Sequence, residues 1–175
     1  MRTIFKAKKG DYPEYAEMYM KWLPDDGLIL QHLEENLKAV KTFVYSLPPE
    51  KLLNRYQPGK WSIKEILVHI IDDERIFAYR ALCFARGEQL GLSGFDQDDY
   101  ARASEADNRT LDNIFEEYEA VRSATITLYN GLPESTLDYR GNGSGSFSGA
   151  TVRALLFHLA GHELHHINFI REHYL

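Results

Sequence analysis

The sequence lacks several features that would assign it quickly to a class. It has one cysteine, Cys83, among 175 residues, so no disulfide can form within the chain, and a lone thiol is typical of a reducing compartment. No stretch approaches the ~18 consecutive apolar residues of a membrane helix, and residues 1–15 lack the apolar core of a signal peptide. These absences predict a soluble, cytoplasmic protein with no membrane partner.

The chain also has no excess of positive charge and no long stretch of alternating apolar residues. Its 20 basic side chains are outnumbered by 26 acidic ones, which gives a formal net charge of -6. This balance is the opposite of a nucleic-acid footprint, so we expect no nucleic-acid partner. Without apolar alternation of period two, no sheet is expected. The predicted class is therefore all-α, with one domain over residues 1–175.

Helical periodicity marks four segments. The first is predicted over residues 27–47, before Pro48 and Pro49, and the second runs from Ser62, where residues 62–65 have the form of a capping box, to residue 86. The third is predicted over residues 109–130 and the fourth from residue 151 to the C-terminus. Residues 87–107 form a long connection of the kind that carries function or crosses a bundle. The glycine-rich residues 141–146 are predicted to be a loop, because their spacing matches no phosphate-binding motif.

Five of the seven histidines lie in the predicted fourth helix, four of them within residues 158–166. At about 100° per residue, His166 falls about 40° from His162, and both point into the middle of the apolar face. Imidazoles four residues apart can share a metal ion, whereas two desolvated rings without partners would be costly. The pair therefore predicts a metal clamp. His158 and His165 lie at the edge of this face and are interpreted as supporting or surface residues, and His173 near the terminus as a surface residue.

Residues 162–166 also match the zinc-peptidase pattern H-E-x-x-H, in which the glutamate is a general base. Such enzymes commonly take a third ligand downstream, but only nine residues follow His166, and position 172 is a glutamate. A di-iron carboxylate bundle needs two Glu-x-x-His units, and the chain has one, from Glu163 to His166. The third ligand is therefore expected upstream, where periodicity leaves His32 and His69 both possible.

A resemblance to a known family distinguishes between His32 and His69 as the third ligand. Residues 56–75, Tyr-Gln-Pro-Gly-Lys-Trp-Ser-Ile-Lys-Glu-Ile-Leu-Val-His-Ile-Ile-Asp-Asp-Glu-Arg, together with the terminal His-x3-His helix, resemble the DinB/YfiT-like superfamily of metal-binding four-helix bundles. The resemblance extends over the chain beyond about residue 25, including residues 94–100. It implies a bundle with long crossover connections, one divalent metal held by His69, His162 and His166, and a homodimer. It also implies that residues 1–24 are an extension packed on the bundle of residues 25–175.

Three neutral imidazoles leave a coordination position open, as catalytic sites do, and they suit zinc first and nickel second. A bound ion would lower the pKa of a water or a thiol enough to supply a nucleophile near neutral pH. The resemblance implies a transferase that joins a low-molecular-weight thiol of the bacillithiol type to a small-molecule electrophile. A hydrolase using metal-bound hydroxide and a non-catalytic metal-binding stress protein are the alternatives. Arg80, about 20° from His69 on the second helix, and Asp96, in the connection, are the candidate pocket residues, with a surface ion pair as the alternative.

Overall fold

The computed structural model describes residues 1–88, 90–141 and 147–175, and within these ranges the regular structure is helical apart from two isolated bridges. Four 3-10 turns accompany six α-helices. The α-helices in chain order are α1 (Glu17–Met20), α2 (Ile29–Tyr45), α3 (Ile63–Ala85), α4 (Gln97–Ala103), α5 (Leu111–Gly131) and α6 (Val152–His173). None of the described helices is long and apolar enough to cross a membrane. The predicted all-α class is confirmed.

The four long helices form a bundle in which two pairs of chain neighbours, α2 with α3 and α5 with α6, lie diagonally. Both α2 and α3 pack against α5 and α6, so the order around the bundle is α2, α5, α3, α6. A chain that moves between diagonal positions must cross an end of the bundle. This requirement explains the long connections over residues 46–62 and 132–151, whereas residues 86–110 join the adjacent helices α3 and α5. The predicted crossover arrangement is confirmed.

Capping side chains determine where the long helices begin. The Ser62 hydroxyl accepts a hydrogen bond from the Glu65 backbone N–H at 3.1 Å, and Glu65 Oε2 accepts one from the Ser62 N–H at 2.7 Å. The predicted capping box is therefore present at the start of α3. Thr110 and Thr151 cap α5 and α6. The helix α2 begins at Ile29 rather than Gly27, because Gly27 has a left-handed φ of 78° that an α-helix does not accommodate.

The connection over residues 87–107 contains a helix, α4, that the sequence analysis did not predict. Asp96 Oδ1 accepts hydrogen bonds from the backbone N–H groups of Asp98 and Asp99 at 2.9 and 3.0 Å. These bonds satisfy two of the free donors at the start of α4. The loop predicted at residues 141–146 lies outside the described residues, apart from Gly141.

Two apolar clusters fill the bundle and leave a polar layer between them. One cluster contains the C-terminal half of α3 and the N-terminal half of α6, and the other contains the opposite halves of the same helices. The middle turns of α3 and α6 carry buried polar side chains instead: His69, Asp73, Glu74, His158, His162 and Glu163. Buried polar groups need partners, so this layer is where a site is expected.

Candidate metal centre

Three histidine nitrogens converge in the polar layer. His162 Nε2 lies 3.1 Å from His69 Nε2 and 3.0 Å from His166 Nε2, so α3 and α6 both contribute to one cluster. Tetrahedral zinc with Zn–N bonds of about 2.0–2.1 Å holds its nitrogens about 3.3–3.4 Å apart. The observed separations are a few tenths of an ångström below that value.

Hydrogen bonding alone does not account for this cluster. His162 Nδ1 faces Asp73 Oδ2 at 3.4 Å, and a carboxylate favours a proton on the nitrogen that faces it. His162 Nε2 then carries a single lone pair, which cannot serve two neighbouring imidazoles well. A divalent cation accepts the lone pairs of all three nitrogens at once. The donor set therefore fits a metal ion that takes nitrogen ligands.

Burial keeps these imidazoles in the form that binds metal. Burial lowers the pKa of His69, although the Asp73 carboxylate opposes the shift. Burial also lowers the pKa of His162 and His166 well below the ordinary histidine value, and the neighbouring histidines add to the effect. Metal binds neutral imidazole. The three side chains are thus neutral at physiological pH.

Asp73 lies behind His162 and joins it to His158. Its Oδ2 is 3.0 Å from His158 Nε2 and 3.4 Å from His162 Nδ1, and all three side chains are buried. A carboxylate in this position orients a ligand imidazole and raises its basicity. These three groups are also near enough to share a cation, but the 3.0 Å contact is an ordinary hydrogen bond that needs none. The sequence analysis missed this role of Asp73, although its place four residues after His69 on one helix was a usable signal.

The N-terminal segment covers the outer side of this cluster. A Cβ built on Gly161 would lie 2.5 Å from the Tyr19 carbonyl oxygen, so the glycine allows the backbone at α1 to approach α6. The Tyr19 ring makes edge contacts with His158, His162 and His165, with centroids 5.1–5.5 Å apart. Residues of α1 therefore shield one side of the histidines from water.

Two cavities meet at the histidine cluster. The larger, of about 670 Å³, is bordered by His166 and His165 and has Trp61 and basic side chains in its wall. The smaller, of about 280 Å³, is bordered by His162. Gln97 at the start of α4 lines both. Molecules can thus approach the histidines from two directions.

His32 lies apart from this cluster. Its Nε2 is 2.8 Å from Asp26 Oδ2, and the ring is also close to Glu35. Among the groups of described residues that could share a cation, none includes His32. The histidine beside the α6 pair is therefore His69.

Comparison with known proteins agrees with this geometry. A family model described as the DinB superfamily matches residues 32–170. The chain belongs to the DinB superfamily. An Oceanobacillus iheyensis protein, provisionally named a metal-dependent hydrolase, is 26% identical over 157 residues, with 83% of this chain and 87% of the relative covered.

The fold of this DinB-superfamily protein also matches a solved structure. YfiT from Bacillus subtilis, described as a probable metal-dependent hydrolase with an unusual four-helix bundle topology, aligns with a TM-score of 0.76 at 16% identity. The match covers 86% of this chain and 87% of YfiT. At this identity the likeness establishes the fold, and the predicted DinB/YfiT-like bundle is confirmed.

Glu163 of the DinB-superfamily chain does not face the histidines. Its Oε2 accepts a hydrogen bond from Arg122, which also donates to Glu74 at 2.9–3.1 Å. All three side chains are buried, and burial raises the pKa of Glu163 despite the neighbouring Arg122 guanidinium. This carboxylate is part of a core ion cluster, so it cannot act as the general base of a zinc peptidase.

Of the two pocket candidates, Arg80 lines the smaller cavity and Asp96 does not. The residues on either side of Asp96, Phe95 and Gln97, reach the cavity wall. The Asp96 carboxylate is instead engaged by the two backbone N–H groups at the start of α4 and is exposed. Asp96 is therefore a helix cap rather than a pocket residue.

Proposed function

We propose that this protein binds one divalent metal ion per chain, zinc first and nickel second, through His69, His162 and His166. We further propose that it is a transferase joining a low-molecular-weight thiol to a small organic electrophile. The observation that carries both proposals is the convergence of three neutral imidazole nitrogens between two cavities. The names of the two relatives, which refer to metal-dependent hydrolases, support metal dependence.

Each part of the site would have a distinct task. The histidines would hold the ion, Asp73 would keep the His162 ring in its binding orientation, and Tyr19 would limit access of water from the outer side. A divalent ion held by these residues would supply a nucleophile near neutral pH, because it would lower the pKa of a coordinated water or thiol. In the proposed reaction the thiol releases its proton to solvent, its sulfur bonds to the electrophilic carbon, and the leaving group departs from that carbon with the bonding electron pair.

The two cavities favour a reaction between two organic substrates. Hydrolysis needs room for one organic molecule and a water, whereas this protein offers separate spaces beside His166 and His162. The larger cavity has the volume for the thiol, and its wall contains three basic side chains, Arg55, Lys60 and Arg102, against two acidic ones, Glu65 and Asp98. This balance slightly favours a negatively charged thiol. The smaller cavity is left for the electrophile.

A metal-dependent hydrolase is the second candidate, and the names of the relatives favour it. In that case the smaller cavity would hold the ester or amide. Zinc peptidases use a free carboxylate as general base. Here the carboxylate in contact with the histidines is Asp73, which already accepts a hydrogen bond from His158. Because this hydrogen bond occupies the Asp73 carboxylate, hydrolysis is the less favoured function of the site.

Metal analysis and two substrate panels test the proposal. Protein purified without an affinity tag should contain close to one divalent ion per chain, and His162→Ala should lose it. His165→Ala removes an imidazole from the same helix but not from the converging nitrogens, so it should retain the ion. The loaded protein should consume cellular thiols in the presence of a monobromobimane-type electrophile, and chelation should stop the reaction.

The same assays separate the candidates. Turnover of ester or amide panels without thiol consumption would indicate the hydrolase. If protein that still holds its ion turns over no substrate in either panel, it is a non-catalytic metal-binding protein. Absence of bound metal in the wild-type protein would contradict the metal site itself.

A further inference from the structure

Arg80 places a positive charge inside the smaller cavity, which it shares with the Asp73 carboxylate without forming an ion pair with it. The residue is only 5% exposed, its Nη2 donates to the Ser93 carbonyl oxygen at 3.1 Å, and its guanidinium lies 4.8 Å over the Phe77 ring. In the described part of the chain no acidic side chain forms an ion pair with it. A guanidinium has five N–H donors, and within the described residues only the bond to Ser93 occupies them, so the remaining donors there can bind a ligand.

His158, in the same cavity, has one ring nitrogen without a hydrogen-bond partner among the described residues. His158 is 3% exposed, and its Nε2 is bonded to Asp73, but its Nδ1 is buried without a hydrogen bond in the described structure. An unpartnered buried polar atom costs stability unless something fills the site. Two incomplete polar groups in one cavity therefore indicate a space built for a ligand.

The walls limit what this ligand can be. The cavity holds about 280 Å³, at the small end of ligand sites, and its apolar lining is aromatic, with Phe77, Phe95 and Phe147. Flat or apolar molecules suit such walls. The guanidinium fork can bind a planar carboxylate through two parallel N–H···O bonds.

Charge in the site also favours an anion once a metal is bound. Asp73 and Arg80 both line the cavity and carry opposite unit charges, which cancel, and histidine binds a metal ion as neutral imidazole. A divalent ion then leaves the site with a surplus of two positive charges. An anionic ligand would reduce that surplus, so its binding should be coupled to metal binding.

We infer that the smaller cavity binds the carboxylate group of the acceptor substrate through the Arg80 guanidinium, with the rest of that molecule directed toward His162. The inference rests on the proposed metal site and names the substrate class of its electrophile: a small organic acid with an aromatic or apolar body. Arg80 is then a specificity-determining residue.

Binding of phenylacetate and phenylacetamide to the zinc-loaded protein tests this inference without any activity assay. The two probes have nearly the same shape and differ in charge, and titration calorimetry or ligand-observed NMR gives their affinities. Phenylacetate should bind at least tenfold more tightly than phenylacetamide. Arg80→Gln should weaken phenylacetate binding roughly 10- to 100-fold, as expected for the loss of a charge-assisted hydrogen-bonded pair, and should leave phenylacetamide binding nearly unchanged.

A control variant and two further measurements show whether a loss of phenylacetate binding is specific to Arg80. Arg75→Gln makes the same charge change on the same helix, but Arg75 is exposed and paired with Glu117, so phenylacetate binding should change less than twofold. Zinc content and the circular dichroism spectrum show whether each variant is folded and loaded. Arg80→Lys, which keeps the charge without the fork, should bind phenylacetate with intermediate affinity.

The failure of this inference and the failure of the proposed function are distinguishable. Wild-type protein that holds zinc but prefers phenylacetamide, or an Arg80→Gln variant that binds phenylacetate as tightly as wild type, would overturn the carboxylate site and leave the metal site intact. Wild-type protein that holds no zinc would overturn the proposed function and this inference with it.

Discussion

Replacement of His69 by alanine tests whether a metal ion joins α3 to α6. An ion bound only by the native state stabilises it by about 4 kcal/mol when the free metal is a thousand times its dissociation constant. For a domain of 150–250 residues each kcal/mol corresponds to about 2–4 °C in melting temperature. The wild-type protein should therefore melt about 8–16 °C higher with zinc than with a chelator.

The structure gives the expected loss for the variant. His69 Nε2 lies 3.1 Å from His162 Nε2, so its removal leaves two nitrogens on α6 and no ligand from α3. A hundredfold loss of affinity removes about 2.7 kcal/mol of the stabilisation. The zinc-dependent melting shift of His69→Ala should accordingly fall to a few degrees.

His32→Ala is the matched control. His32 pairs with Asp26 away from the cluster, so the zinc-dependent shift should equal that of the wild type. Each variant is compared with itself, chelated against loaded, which cancels any general loss of packing. Thermal melts followed by circular dichroism suffice. If His32→Ala erased the shift while His69→Ala preserved it, the proposed third ligand would be wrong.

Three further predictions concern the surrounding structure. Gly161→Ala should destabilise the protein by about 1–3 kcal/mol, because the added Cβ would meet the Tyr19 carbonyl oxygen. Gly131→Ala, where a Cβ would meet open space, should be neutral or slightly stabilising. Equal urea midpoints for the two variants would contradict the close approach of α1 to Gly161. Arg122→Met should lower the free energy of unfolding by about 3–5 kcal/mol, because it leaves two buried carboxylates unpaired. Glu163→Gln should still bind zinc, and loss of zinc from this variant would indicate that Glu163 is a ligand. The chelated protein should lose stability as the pH falls below about 6.5. Folding lowers the pKa of the three clustered histidines from that ordinary value, so below it the unfolded chain binds more protons than the folded one. A melting temperature that rises on acidification would refute this.

Several features could be predicted because they are properties of a single helix. The relative directions of His162 and His166 follow from the rotation per residue, whatever α6 packs against. The start of α3 at Ser62 depends on two side chains within one turn. The start of α4 is also a local feature, because Asp96 caps it. This helix was not predicted, because Asp96 was interpreted as a pocket residue.

The tertiary structure decided which residues complete the site. His69 and His162 are 93 residues apart along the chain, and periodicity left His32 and His69 equal. The order of helices around the bundle brings the middle turns of α3 and α6 together, and this order depends on how long connections cross its ends. Likewise, Glu163 meets Arg122 because the bundle places α6 and α5 opposite each other across its core. The rotation of a helix determines where a side chain points relative to its own neighbours, but what it meets there depends on contacts between distant segments.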